Sequence, residues 1–342
     1  MITIAVDAMG GDHAPRPEVE GAVQAAREFD VRVLLVGQPA VVNRELGKYP
    51  RRGLPIEVAP ASEVITMKDS PVQAFRKKKD SSVHVAVKLV RTGQADGMVS
   101  AGNTGAVMAV ARFGLGTLPS VDRPALAAPF PTSRGGVSVL LDVGANVDSK
   151  VAHLEQFAVM GEIYYRAIFG TRRPKVALLS IGEEEIKGNE LTREAYDRLK
   201  HMPLNFVGNI EGREVFVGNV DVIVCDGFIG NIALKISEGL AQHIVALLKS
   251  AMQSTLSSQV GSLLSRRAYQ DFKKKIDYSE YGGAPLLGVR GMIVIAHGSS
   301  NANAIKNAVR VAAGLARNRI NERIEAELSA LAGGRQGLRP AG

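Results

Sequence analysis

Glycine, asparagine and a few acids, serines and histidines follow apolar runs at six places in the chain. Val6 leads into Asp7-Ala8-Met9-Gly10-Gly11-Asp12-His13, and Val99 into Ser100-Ala101-Gly102-Asn103-Thr104-Gly105. Leu141 leads into Asp142-Val143-Gly144-Ala145-Asn146, and Ile181 into Gly182, Lys187, Gly188 and Asn189. Val224 leads into Cys225-Asp226-Gly227-Phe228-Ile229-Gly230-Asn231, and Ile295 into Ala296-His297-Gly298-Ser299-Ser300-Asn301. Glycine lets backbone N–H groups come close to an anion, and a helix that starts there adds the positive end of its dipole. Asn, Ser and Thr add neutral donors. Any one such loop could be an ordinary turn with a helix cap. Six of them on one expected sheet edge favour a shared site for phosphate and an oxyanion.

Single residues add to this. Lys187 could hold phosphate or a thioester oxyanion as a point charge, or could merely balance Glu183, Glu184 and Glu185. His13 could be a general base oriented by Asp12 or Asp7, or a turn residue. His297 could hydrogen-bond a ligand or cap the next helix. Cys225 sits in a buried-looking strand without a clear partner, which disfavours a nucleophile. Neither G-x-G-x-x-G nor G-x-x-x-x-G-K-[ST] is present, which argues against dinucleotide folds and P-loop NTPases. No G-x-S-x-G elbow, H-E-x-x-H or zinc-spaced Cys/His cluster occurs, so no metal is expected.

The elements that must position these loops read as alternating strands and helices. Ile2–Asp7, Val31–Gly37, Gly97–Ser100, Val137–Asp142, Lys175–Ile181, Val220–Asp226 and Gly291–His297 are near-continuous apolar runs. Strands buried on both faces look like this. Helical patterns cover Pro17–Phe29, Ser82–Thr92, Leu154–Phe169, Leu191–His201, Asn231–Lys249 and Ala302–Leu331. The fold class is α/β with a mainly parallel sheet. One domain is expected over residues 1–332, with a helical excursion at about 240–281 and a flexible tail at 333–342.

The chain has 342 residues, a net charge of +8 and no Trp. Such charge favours anionic partners, while the scarcity of aromatics disfavours nucleic acid. No signal peptide or membrane-spanning run is evident, so a cytoplasmic protein is expected. Ile244, Leu248, Met252, Leu256, Val260 and Leu264 recur every four residues, with Leu263 beside them, and Arg266, Arg267 and Lys273–Lys275 follow. An apolar stripe beside a basic cluster suits an anionic membrane surface, or equally a dimer or core contact. Arg76–Lys79 is a second basic run.

The opening Val6–His13 resembles that of the bacterial phosphate acyltransferases, the acyl-ACP:phosphate acyltransferases of phospholipid synthesis. Ser100–Ala106, Arg123-Pro124-Ala125-Leu126, Leu141–Asn146, Gly208-Asn209-Ile210-Glu211-Gly212, Cys225–Asn231, Gly282–Gly288 and His297–Ser300 match that family in order. The resemblance implies a three-layer α/β/α sandwich like the isocitrate and isopropylmalate dehydrogenases and phosphotransacetylase. It also implies a homodimer without organic cofactor, soluble or peripheral at the inner membrane face. The implied reaction takes a fatty acyl group from acyl carrier protein to inorganic phosphate. Lys187 and Asn231 would then stabilise the oxyanion, and His13 or Asp226 would handle the proton. Gly10, Gly11, Asn103, Thr104, Asn146, His297 and Ser299 would hold phosphate and substrate. Leu256, Val260, Leu263, Leu264, Arg266 and Arg267 would touch membrane or partner. Two alternatives remain: an acyl-CoA phosphotransacetylase, and a membrane-associated scaffold for lipid-synthesis enzymes. A metal-dependent dehydrogenase lacks its motifs.

Overall fold

The computed structural model describes residues 1–276 and 281–336, without the side chains of 271, 273–276 and 332–336. The expected basic side chains of Lys273–Lys275 and the tail beyond residue 336 lie outside that description.

The first part alternates β1 (Ile2–Asp7), α1 (Arg16–Glu28), β2 (Val31–Gly37), α2 (Pro39–Leu46), β3 (Ile56–Pro60), α3 (Pro71–Lys77), α4 (Ser82–Arg91), β4 (Gly97–Ser100) and α5 (Thr104–Leu115). Next come β5 (Ala125–Pro131), β6 (Val137–Leu141), α6 (Val151–Phe169), β7 (Lys175–Leu179), α7 (Glu190–Leu199), β8 (Asn205–Ile210) and β9 (Val222–Val224). Three successive helices follow: α8 (Gly227–Gln253), α9 (Leu256–Leu264) and α10 (Arg266–Ile276). The chain returns through β10 (Ala284–Leu287) and β11 (Met292–Ile295) to α11 (Ala302–Arg317) and α12 (Ile320–Gln336). The single helix expected from Ala302 to Leu331 is therefore two. Arg319 takes a left-handed conformation with φ of 52°, and the Asn318 amide donates back to the Gly314 carbonyl.

The strands form one sheet in the order β3-β2-β1-β4-β11-β10-β5-β6-β9-β7-β8. Both of its faces are covered. Ile4 and Val6 of β1 pack with Val19 of α1, Phe157 of α6 and Ile305 of α11. Ala5, between them, packs on the other face with Val83 of α4 and Val107 of α5. This two-sided burial is why the strands read as unbroken apolar runs rather than alternating ones. Each fully buried aliphatic side chain, such as Leu141, contributes about 1.5–3 kcal/mol.

The expectation of a single sheet edge carrying all six loops needs correction. Strands β3, β2, β1, β4 and β11 run parallel to one another, as do β6, β9, β7 and β8. The pairings β11/β10, β10/β5 and β5/β6 are all antiparallel. Three reversals turn the second half of the sheet against the first. The register still brings the two sets of strand ends together. Ile295, last in β11, pairs with Ala284, while Leu286 pairs with Leu126. Leu141, last in β6, pairs with Ala127. Both halves thus end against the same short stretch of β10 and β5, approaching from opposite directions.

Candidate active site

A cleft of about 250 Å³ lies where the two sets of carboxyl ends meet. Leu126, Ala128, Val143, Leu234 and Ile295 give it an apolar wall. Its polar groups are Thr104, Asn231, Lys235, Glu238 and His297. Two helices begin at it. Thr104 is the first residue of α5, whose cap Asn103 accepts the Ala106 N–H at 3.1 Å. Asn231 opens the second turn of α8, whose cap Asp226 accepts the Phe228 and Ile229 N–H groups, each at 3.0 Å. Helix starts offer N–H donors and a positive dipole end to an anion. Gly144 lets Asn231 approach: its φ is +130°, and a Cβ there would sit 3.3 Å from the Asn231 Cβ.

His297 faces α8 from the loop after β11. Its Nδ1 lies 2.8 Å from the Ser299 hydroxyl and 3.2 Å from the Ser299 backbone N. Its Nε2 lies 3.9 Å from Glu238 Oε2, which also pairs with Lys235 at 2.8 Å. Thus Thr104, Asn231 and His297 meet as the sequence suggests, with Ser299 orienting His297 from behind.

Other expected site residues serve the framework. Asn103 spends its amide N–H groups on the Met67 and Asp69 carbonyls. Asn146 is buried, and its amide donates to the Pro124 carbonyl and to Asp142. Asp226 caps α8, so its carboxylate oxygen is already committed to two N–H groups rather than to proton transfer. A Cβ on Gly10 would overlap Asp7 and the Gly102 backbone, so this glycine lets the loops after β1 and β4 pass each other. Gly11, with φ of +106°, is packed against Glu18 and Gly298. His13 is exposed in the turn before α1 and does not line the cleft. Asp7 cannot orient it, because Asp7 is buried and accepts from Ser100 Oγ at 2.6 Å. Burial pushes the Cys225 thiol well up, which agrees with an inert side chain.

Lys187 is exposed in the loop after β7 and does not line the cleft. Its glutamate neighbours do not need it. Glu183 lies 3.8 Å from Arg213, and Glu185 takes Lys200 at 3.1 Å and the Tyr196 hydroxyl at 2.9 Å. Among the described residues Lys187 makes no ion pair, which removes the charge-balancing explanation for Glu183 and Glu185.

Lys235 and Glu238 escaped sequence reading. They follow Asn231 on α8 at four and seven residues, the spacing of one helix face. That periodicity was a usable signal, masked by the apolar stripe of the same helix.

Glu18, on α1 behind Gly11, is buried with no partner for Oε2, and burial raises its pKa to about 8. Nearby Asp7 and Asp12 push the same way. A raised carboxyl pKa means stability is fullest below the unfolded value near 4.5 and falls as pH rises towards 8. Glu18→Gln should therefore flatten this loss and make the protein more stable than the parent at pH 8.5, by roughly 2–4 kcal/mol. Urea midpoints at pH 5 and 8.5 check this; an equal change at both values would contradict it.

The fold is a phosphotransacetylase-like α/β fold with a cleft where the two halves of its sheet meet. A phosphotransacetylase from Staphylococcus aureus superposes with a TM-score of 0.59 at 17% identity, covering 92% of this chain and 94% of its own. One from Streptococcus pyogenes gives 0.59 at 18% identity, with the same coverages. The chain belongs to the family described as fatty acid synthesis protein, whose model matches residues 2–323. Among its relatives, the phosphate acyltransferase of Koribacter versatilis is 61% identical over 96% of this chain and 93% of its own length. That of Acidobacterium capsulatum is 55% identical over 96% and 97%. No helix among the described residues is long and apolar enough to cross a membrane.

Proposed function

We propose that the chain transfers a fatty acyl group from a carrier-protein thioester to inorganic phosphate, releasing acyl phosphate and the carrier thiol. The observation that carries this is the cleft itself. An apolar wall suited to an acyl chain adjoins two helix starts suited to phosphate and an oxyanion, in a chain 61% identical to a phosphate acyltransferase. Inorganic phosphate titrates close to neutrality, so a large share of it is already the dianion in the cell's pH range and needs positioning more than deprotonation. One phosphate oxygen attacks the thioester carbon. The Asn231 amide meets the developing oxyanion from the cleft wall.

An acidic carrier protein is the donor we favour over CoA. Arg76, Lys77 and Lys79 are exposed on and just after α3, and Pro71 of that helix packs against Gly105, next to the cleft residue Thr104. Lys78 is tied to Asp69 at 2.6 Å and is not part of this face. Exposed Leu256, Val260, Leu263 and Leu264 on α9, with Arg266 and Arg267, form the membrane-contact surface. The exposed stripe Phe228, Ile232, Ile236, Leu240 and Ile244 on α8 suits a second copy of the chain; sedimentation as a monomer would remove that assignment. Kinetics with acyl-carrier and acyl-CoA donors, plus vesicle co-sedimentation, separate these surfaces. Reversing Arg76 and Lys77 to Glu should raise KM for the carrier about tenfold and leave CoA kinetics alone. Leu263→Asp with Leu264→Asp should abolish sedimentation with anionic vesicles while sparing carrier KM. An unchanged carrier KM, or retained sedimentation, would strike out the corresponding surface.

A further inference from the structure

We propose that Ala128 and Ala284 form the floor on which the acyl chain lies, and that their small side chains decide how long a chain the cleft admits. This rests on the acyl-transfer reading above and adds to it the residues that select the acyl group.

The floor follows from the register of the sheet. Leu286 of β10 pairs with Leu126 of β5, and Ala284 pairs with Ile295 of β11. Strands β10 and β5 are antiparallel, so continuing their register by two residues sets Ala284 opposite Ala128. Ala128 in turn pairs with Leu140 of β6. Four adjacent strands thus present Ile295, Ala284, Ala128 and Leu140 in one row. Side chains in such a row share a face of the sheet. Ile295, Ala128 and Leu140 belong to one buried cluster, and Ala284 packs against it.

Larger side chains surround the two alanines. The neighbouring row on the same face is Ile293, Leu286 and Leu126. On the other side Phe130 stands two residues along β5, its ring edge-on to that of Phe216 with centroids 5.6 Å apart. Ala128 and Ala284 therefore make a dip in the sheet surface.

The dip opens into the cleft. Ala128 and Ala284 both line it, and Leu234 of α8 lines it from above the sheet. Leu234 follows Asn231 by three residues, so one face of α8 carries the oxyanion donor and the apolar roof side by side. Lys235 and Glu238, also on that face, pair with each other at 2.8 Å, which lowers the net charge next to an alkyl chain. Among the described residues no Phe, Tyr or Trp lines the cleft. A flat base finds no stacking partner there, whereas an alkyl chain finds contact above and below.

Burying one methylene strengthens binding about fourfold. The cleft, at about 250 Å³, is smaller than the roughly 300–1,000 Å³ of ordinary ligand sites, so bulk added to its floor displaces methylenes of the chain.

The test measures kcat/KM for butyryl, octanoyl and palmitoyl thioesters of the carrier protein with phosphate. Ala128→Leu should lower the palmitoyl-to-butyryl ratio about 60-fold, one methylene displaced for each of the three carbons added. Ala284→Val, which adds two, should lower it about 15-fold. The ratio cancels any loss common to both substrates, and butyryl turnover above background shows that a variant is folded. Ala284 is only half-buried, so its variant serves where Ala128→Leu does not fold. A ratio unchanged in the folded variants, with activity kept or lost equally at every chain length, would overturn the assignment. Failure of the parent protein to release the carrier thiol in a phosphate-dependent way would instead overturn the acyl-transfer reading.

Discussion

Asn231→Ala should lower turnover about 100- to 1000-fold, the usual cost of removing one preorganised oxyanion donor. The residue opens the second turn of α8 and lines the cleft, with Gly144 left-handed beside it so that no side chain intervenes. Asn231 is exposed and packs against no core, so truncation should leave the melting temperature nearly unchanged. A donor that acts only as the carbonyl becomes tetrahedral lowers kcat and kcat/KM together. A rise in KM alone would make Asn231 a ground-state binding residue. Lys187 stands outside the cleft, so Lys187→Ala should leave kcat and kcat/KM close to the parent's. Steady-state kinetics of the two variants test the assignment, and a Lys187→Ala enzyme as impaired as Asn231→Ala would contradict an oxyanion site confined to the cleft.

Asp142→Ala should cost about 3–5 kcal/mol of stability, the scale for breaking a buried charged network. Its carboxylate is fully buried at the end of β6. It accepts the backbone N–H groups of Leu126, Gly144, Ala145 and Asn146 at 2.7–3.2 Å, and the Asn146 amide at 2.9 Å. Burial raises its pKa and those donors pull it down. Each buried donor left without an acceptor costs about 1–3 kcal/mol. The same bonds fix the loop that carries Gly144, so activity should fall with stability. Asp142→Asn keeps the shape but turns an NH2 group towards donors, and should also destabilise. A urea midpoint unchanged in Asp142→Ala would show that the loop holds itself without the carboxylate.

Strands β1, β2 and β4 were legible to the residue because burial on both faces leaves no polar position inside them. The centre of the sheet was not legible. Strand β5 holds Pro129 and Pro131, and β10 holds Pro285, residues that normally argue against an interior strand. Missing these two strands hid the reversal between the halves, and with it the reason the loops converge. At the site, Thr104, Asn231 and His297 were legible from polar residues at strand ends and helix starts. Asn103, Asn146 and Asp226 carried the same signal, yet their side chains hold the loops in place. Composition at a strand end cannot separate a donor aimed at a ligand from one aimed at the protein's own backbone. Tertiary placement decides it.

The most direct test of acyl transfer to phosphate is thiol release from palmitoyl carrier protein by the purified chain, with hydroxylamine present to trap acyl phosphate. The expected result is release that rises with phosphate concentration, accompanied by an equal amount of palmitoyl hydroxamate. Release that ignores phosphate, or none at all from either carrier or CoA thioester, would contradict the account.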